Sequence, residues 1–299
     1  MEAKHLLEYA SLRIVSLLIN ALPYRVALTA VWPLAWCAHW VFRYRTDLAR
    51  QRIQEVFPHF TSRQIRRIAW ISFRNMVFNG VEMLRGHRLS PAWMSKHVDM
   101  KNVFEVAHRH LKDRPVIAVG VHMGNWELAG QALEQGGIRS FFIVRNQRNP
   151  YTTRLINACR VVQGSAILER DDPNLMHKAV RMLKAGQTMA ILLDVRARSE
   201  AMSLDFLGKK ANIAIGAGLM ARLSGAVMLP YRVTRKQWTQ HEVEVLDEIL
   251  IDRRGSRDEE IKRVTQQAFD LLGSQVMEMP EQYFWYNKRW ILEPLSPAS

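Results

Sequence analysis

The run VIAVGVHMGNWELAGQALE, residues 116–134, constrains the fold more than any other part of the chain. Its first six residues are apolar, β-branched or small, as in a strand buried on both faces of a parallel sheet, and from Trp126 onward the apolar spacing is helical. Gly124 and Asn125 mark the turn, with Asn125 a candidate N-cap. On one continuous helix His122 and Glu127 would diverge by about 140°. A strand-turn-helix break can bring them together instead, at the carboxyl end of a strand, where ligands bind in open α/β sheets. A neutral imidazole beside a carboxylate has the makings of a general base, because the carboxylate fixes the tautomer and stabilises the imidazolium. One His and one Glu at this spacing also arise by chance, so the rest of the chain carries the decision.

From Arg114 the same alternation repeats. Strands are expected at 116–121, 140–144, 166–168, 188–193, 227–233 and 241–249, with helices near 151–162, 175–185, 213–223 and 258–277. The predicted fold class is α/β, a single mixed, mostly parallel sheet flanked by helices. With 299 residues, one such domain over 46–299 plus an appended segment over 1–45 fits better than two equal domains.

The appended segment is the most apolar part of the chain. Arg13, Pro23, Arg25 and Pro33 interrupt residues 6–42, which predicts two short helices. Val26 to Phe42 carries no formal charge and sits at the lower length limit for crossing a bilayer. Trp32, Trp36 and Trp40 form a stripe on it, and Arg43, Arg45, Arg50 and Arg52 come directly after. Such a segment either spans a membrane, with the rest of the chain on the cytoplasmic side, or lies flat on anionic headgroups. It does not read as a cleaved signal.

Lys and Arg number 42 against 28 acids, a net charge of +14, so anionic partners are expected. Thr61 or Ser62 opens a basic amphipathic helix ending near Leu84, with Arg63, Arg66, Arg67 and Arg74 along it. No zinc-finger, recognition-helix or RNA-binding signature accompanies these arginines, so a solvated or headgroup-facing surface is expected and nucleic acid is not. Two isolated cysteines and scattered histidines predict neither a disulfide framework nor a metal site.

Two further strand ends offer polar groups. Arg145 and Asn146 follow SFFIV, and Asp194 follows the apolar run MAILL, with Arg196 just beyond. An arginine there can grip phosphate or carboxylate through its fork of donors. The order His122-x-x-x-x-Glu127, then FIVR at 142–145, Asp194-x-Arg196 and Leu229-Pro230 resembles the four blocks of glycerolipid-type acyltransferases. HMGNWE at 122–127, NPYTTRLIN at 149–157, DFLGKKA at 205–211 and PEQYFWYNKRW at 280–290 make the chain similar to the bacterial lipid A biosynthesis acyltransferases.

That resemblance implies transfer of a fatty acyl group from an acyl carrier protein or coenzyme A thioester to a hydroxyl of a lipid A precursor or related glycolipid, at the cytoplasmic face of a bacterial inner membrane. No resident cofactor or metal is implied. His122 would be the general base and Glu127 its orienting partner. Arg145 would contact a phosphate, and Asp194 and Arg196 would help build the acceptor site. Asn125, Trp126 and Asn146 are further substrate-contacting candidates, with backbone N–H groups near Gly124 to Trp126 available for an oxyanion. The sequence departs from the family in VRARSEAMSLDFLG, which lacks the usual glycine before the Phe-Leu-Gly turn, and in Asn212, where threonine is common. Another phospholipid or glycolipid acceptor is the alternative.

Rival classes fare worse. No Gly-x-Ser-x-Gly nucleophile elbow occurs. GAGLMA at 216–221 fits a dinucleotide fingerprint formally, but no acid follows about 20 residues on, so small-residue helix packing is the better account. A non-enzymatic basic protein that binds membrane or nucleic acid would tolerate loss of His122, whereas a transferase would not.

Overall fold

The computed structural model describes residues 2–160, 165–197 and 201–293. The amino-terminal third is helical: α1 (Glu2–Ala21), α2 (Tyr24–Trp36), α3 (Thr46–Val56), α4 (Ser62–Leu84), α5 (Pro91–His97) and α6 (Val103–Leu111). A π-helical turn, Cys37–Val41, follows Pro33 and extends α2. Thr61 caps α4 in a capping box: its hydroxyl accepts the Gln64 N–H and the Gln64 side chain accepts the Thr61 N–H.

The remainder alternates strand and helix. A two-residue strand, β1 (Val98–Asp99), precedes α6, and then come β2 (Val116–Gly120), α7 (Trp126–Gln135), β3 (Ser140–Val144), α8 (Pro150–Arg160), β4 (Ala166–Glu169), α9 (Leu175–Lys184) and β5 (Thr188–Leu192). The chain continues through β6 (Met202–Phe206), β7 (Lys209–Ile213), α10 (Gly216–Ser224), β8 (Val227–Gln237), β9 (Gln240–Val245) and α11 (Arg257–Glu278). The main sheet has the order β1-β9-β8-β2-β5-β3-β4, and every neighbouring pair is parallel except β8 with β9. This is the mixed, mostly parallel sheet expected from the sequence, with β2 central and buried at all five positions.

Local differences have physical causes. The helix expected over 151–162 is α8; residues 161 and 162 lie outside the described residues. The helix expected from Ile213 begins at Gly216, because Ile213 closes a β6–β7 hairpin that the apolar pattern does not announce. The hairpin turns at Leu207 and Gly208, both with positive φ. A leucine in that position hides the usual Asn-Gly signature of such a turn. Gly218 packs α10 on α11, where a Cβ would lie 2.8 Å from the Thr265 hydroxyl, so the GAGLMA run serves helix packing.

The membrane-spanning alternative does not hold for the described residues: no helix is long and apolar enough to cross a bilayer. The break at Pro23 separates α1, which is long enough but carries Glu2, Lys4, Glu8 and Arg13, from the shorter apolar α2. These pieces pack on α4 instead, burying Ile19, Tyr24, Ala27 and Leu28 with Phe78 and Val81. Their other side presents Leu7, Ile14, Leu17, Leu18, Leu34 and Phe42 to the exterior.

Candidate active site

Gly120 of β2 lies opposite Leu192 of β5 in a parallel pair. Two residues further along each chain the same register puts His122 beside Asp194. The His122 Nδ1–Asp194 Oδ1 distance is 2.8 Å, and the His122 backbone N–H donates to both carboxylate oxygens at 3.1 Å. Asp194 is fully buried, whereas the His122 side chain retains 19% exposure. A carboxylate only accepts, so Nδ1 carries the ring proton and Nε2 is left with its lone pair. Burial works against protonation of His122, but the Asp194 charge, its hydrogen bond and then the Glu127 charge outweigh it and raise the imidazole above its ordinary pKa.

The orienting carboxylate is therefore Asp194, in place of Glu127. Glu127 is held by Arg160 of α8, whose Nε donates at 3.0 and 3.1 Å and whose Nη2 donates at 2.8 Å. The strand-turn-helix break does place Glu127 in the first turn of α7, but its carboxylate turns to α8 and acts on His122 through charge. Asp194, expected in an acceptor site, is instead the imidazole's partner.

Trp126 stands edge-on to His122 with ring centroids 4.8 Å apart, and Phe284 lies at 6.2 Å. Asn125 caps α7 by accepting the Leu128 N–H at 3.1 Å and has no exposed surface. Its amide donates to the buried Glu82, which ties the start of α7 to α4. Arg145 and Asn146 are exposed at the end of β3, on the same carboxyl edge of the sheet, and hydrogen-bond to neither His122 nor Asp194. Arg196 ties the loop after β5 to the carboxyl-terminal segment: its Nη1 donates to the Glu293 carbonyl at 3.0 Å and its own carbonyl accepts from Arg289.

Two supports fix the turn carrying His122. Above it, residues 282–284 pair with 122–124: Gly124 N–H donates to the Gln282 carbonyl, and Phe284 N–H to the His122 carbonyl. Gly124 has φ +59°, and a Cβ there would lie 2.2 Å from the Val233 carbonyl oxygen, so only glycine fits. Below it runs a buried polar stripe of α4. Asn79 donates to the Gly124 carbonyl at 2.6 Å and accepts from Arg235 at 2.7 Å. Glu82 accepts from Arg235, Asn125, Tyr24 and His241. Burial alone would raise the Glu82 carboxyl, but Arg235 and then His241 hold it well below the usual carboxylate range. Sequence reasoning missed Asn79, Glu82, Arg160 and Arg235; a single acid in the otherwise apolar FNGVEML run was the one signal.

A buried carboxylate, a tautomer-fixed imidazole at the carboxyl end of a central parallel strand and aromatic walls make a site with a free imidazole lone pair. The chain belongs to the bacterial lipid A biosynthesis acyltransferase family, whose match covers residues 2–291, and it is an acyltransferase by that membership. It is 22% identical over 282 residues to the lipid A biosynthesis palmitoleoyltransferase of Escherichia coli (strain K12), covering 93% of this chain and 89% of that protein. Similar relatives are the lipid A biosynthesis lauroyltransferase of the same strain, 23% identical over 286 residues with the same coverage, and the lipid A biosynthesis acyltransferase of Shigella flexneri, at 22% over 282 residues.

Proposed function

We propose that the protein transfers a fatty acyl group from an acyl carrier protein or coenzyme A thioester to a hydroxyl of a lipid A precursor or related glycolipid, with His122 as the general base. The observation that carries this reading is the His122–Asp194 pair, which leaves Nε2 as the proton acceptor. Nε2 takes the hydroxyl proton as the oxygen attacks the thioester carbonyl carbon. The tetrahedral oxyanion collapses, the C–S bond breaks, and the proton passes from Nε2 to the departing sulfur. No protein nucleophile and no resident cofactor enter these steps.

Gly124 N–H is committed to Gln282 and Leu128 N–H to the Asn125 cap, so oxyanion stabilisation falls to the Trp126 and Glu127 N–H groups at the start of α7. The Glu127–Arg160 pair fixes that turn against α8 and contributes charge beside the imidazole. The exposed apolar side of α1 and α2, followed by Arg43 and Arg45, suits monotopic attachment to an anionic leaflet, the cytoplasmic face of the inner membrane.

His122→Ala is expected to abolish acyl transfer, assayed by mass spectrometry of the acylated lipid, while the variant remains folded by circular dichroism. Undiminished transfer by the folded variant overturns the mechanism.

A further inference from the structure

Arg74 of α4 is a half-buried cation with no carboxylate beside it. No described acid forms an ion pair with it, and the charge that acts on it is another guanidinium, Arg235, already committed to Glu82. The two guanidinium carbons lie over the Phe78 ring, at 5.7 and 5.5 Å from its centre. Burial and then Arg235 pull the Arg74 pKa down to about 10, the mark of a charge held where it is not neutralised.

The hydrogen bonds point the same way. Arg74 Nη2 donates to Asn75 Oδ1 at 2.9 Å, which fixes the Asn75 amide: a flipped amide would set donor against donor. Asn75 Nδ2 is then left as a buried donor with no described partner, on a side chain only 2% exposed, and Arg74 Nε is buried without one too. Two adjacent side chains thus present unspent donors, one of them charged. Buried donors are normally satisfied, and a desolvated cation without a counter-charge is costly. Asn75 also sits on the stripe between Ser72, which donates to the Tyr283 carbonyl, and Asn79, which holds Gly124.

We propose that Arg74 and the Asn75 amide form an anion-recognising subsite on α4 that takes a phosphate group of a phosphorylated substrate. The guanidinium supplies charge and a fork of donors, and the amide supplies a neutral donor beside it. The identity of the phosphate's carrier rests on the proposed acyl-transfer function; the anion site does not.

The test has a binding arm and a kinetic arm. Inorganic pyrophosphate is titrated calorimetrically into the full chain in neutral detergent, for wild type, Arg74→Gln, Asn75→Leu and Arg67→Gln. Arg67 lies exposed on the same helix and controls for the overall positive field. Arg74→Gln keeps the packing stem and should weaken binding about ten- to hundredfold, with Arg67→Gln within about twofold of wild type. Absence of binding to wild type, or equal loss in both arginine variants, overturns the site. In the kinetic arm, Arg74→Gln should raise KM for a phosphorylated acceptor and leave a dephosphorylated acceptor unchanged. A rise confined to the thioester donor would support the site with the donor's phosphate as its occupant, and unchanged KM for both substrates overturns it. Failure of acyl transfer by wild type leaves the binding arm intact and counts against the reaction alone.

Discussion

At the residue scale, the chemistry depends on which carboxylate touches His122. Asp194 does, at 2.8 Å, while Glu127 is bound by Arg160. The Glu127–Arg160 pair should therefore behave as one unit. Glu127→Gln and Arg160→Gln are each expected to lower kcat, and the double variant should lose little more than the worse single one, because either change leaves the other group unpaired beside the imidazole. Additive losses in a kinetic double-mutant cycle would show two independent roles. Sequence alone could place His122 and Glu127 correctly in the backbone yet not pair them. Spacing along the chain says nothing of which neighbouring strand end approaches, and Asp194 is 72 residues away. Its position after an apolar strand was legible, but its partner depends on β5 lying beside β2, a fact of sheet order.

At the element scale, α4 is the support for the turn that carries His122. Its stripe Ser72, Asn75, Asn79, Glu82 follows helical spacing and is buried throughout. Most of the strands after Arg114 were legible because central parallel strands are continuous apolar runs. The polar stripe was not, since side chains of that kind read as exposed until a second layer covers them. Removing Glu82 as Glu82→Ala strands Arg235 without its counter-charge and should cost about 3–5 kcal/mol in urea unfolding. Asn79→Asp keeps an acceptor for Arg235 but loses the donor to the Gly124 carbonyl. It is expected to lower kcat with KM nearly unchanged and a thermal midpoint near wild type; a fall in activity that merely tracks the folded fraction would make Asn79 a stability residue.

At the scale of the whole molecule, the apolar amino-terminal helices pack one side on α4 and leave the other exposed. Ala27 and Leu28 are wholly buried on α4, so deleting 1–42 would expose core surface. The outward side is separable: Phe42 is 79% and Leu34 is 68% exposed. Leu34→Glu combined with Phe42→Glu should reduce sedimentation with anionic vesicles several-fold while the thermal midpoint stays put, since neither side chain contributes to the core. Unchanged sedimentation would move the membrane contact to the basic surface.

The His122–Asp194 pair is tested most directly by the pH dependence of kcat in wild type and Asp194→Asn. In the proposed mechanism the imidazole must be neutral to accept the hydroxyl proton, so activity should be lost as pH falls through its folded pKa, which is raised above the ordinary value of about 6.5. The same raised pKa means that the protonated pair adds stability below the unfolded pKa, and that this contribution is lost as pH rises through the folded one. Replacing the carboxylate by an amide removes the charge that raises the imidazole and the acceptor that fixes its tautomer. The acid limb of Asp194→Asn should move to lower pH, and kcat on the plateau should fall about 100- to 10,000-fold. An acid limb and a plateau both unchanged from wild type would contradict the assignment of Asp194 as the partner of the base.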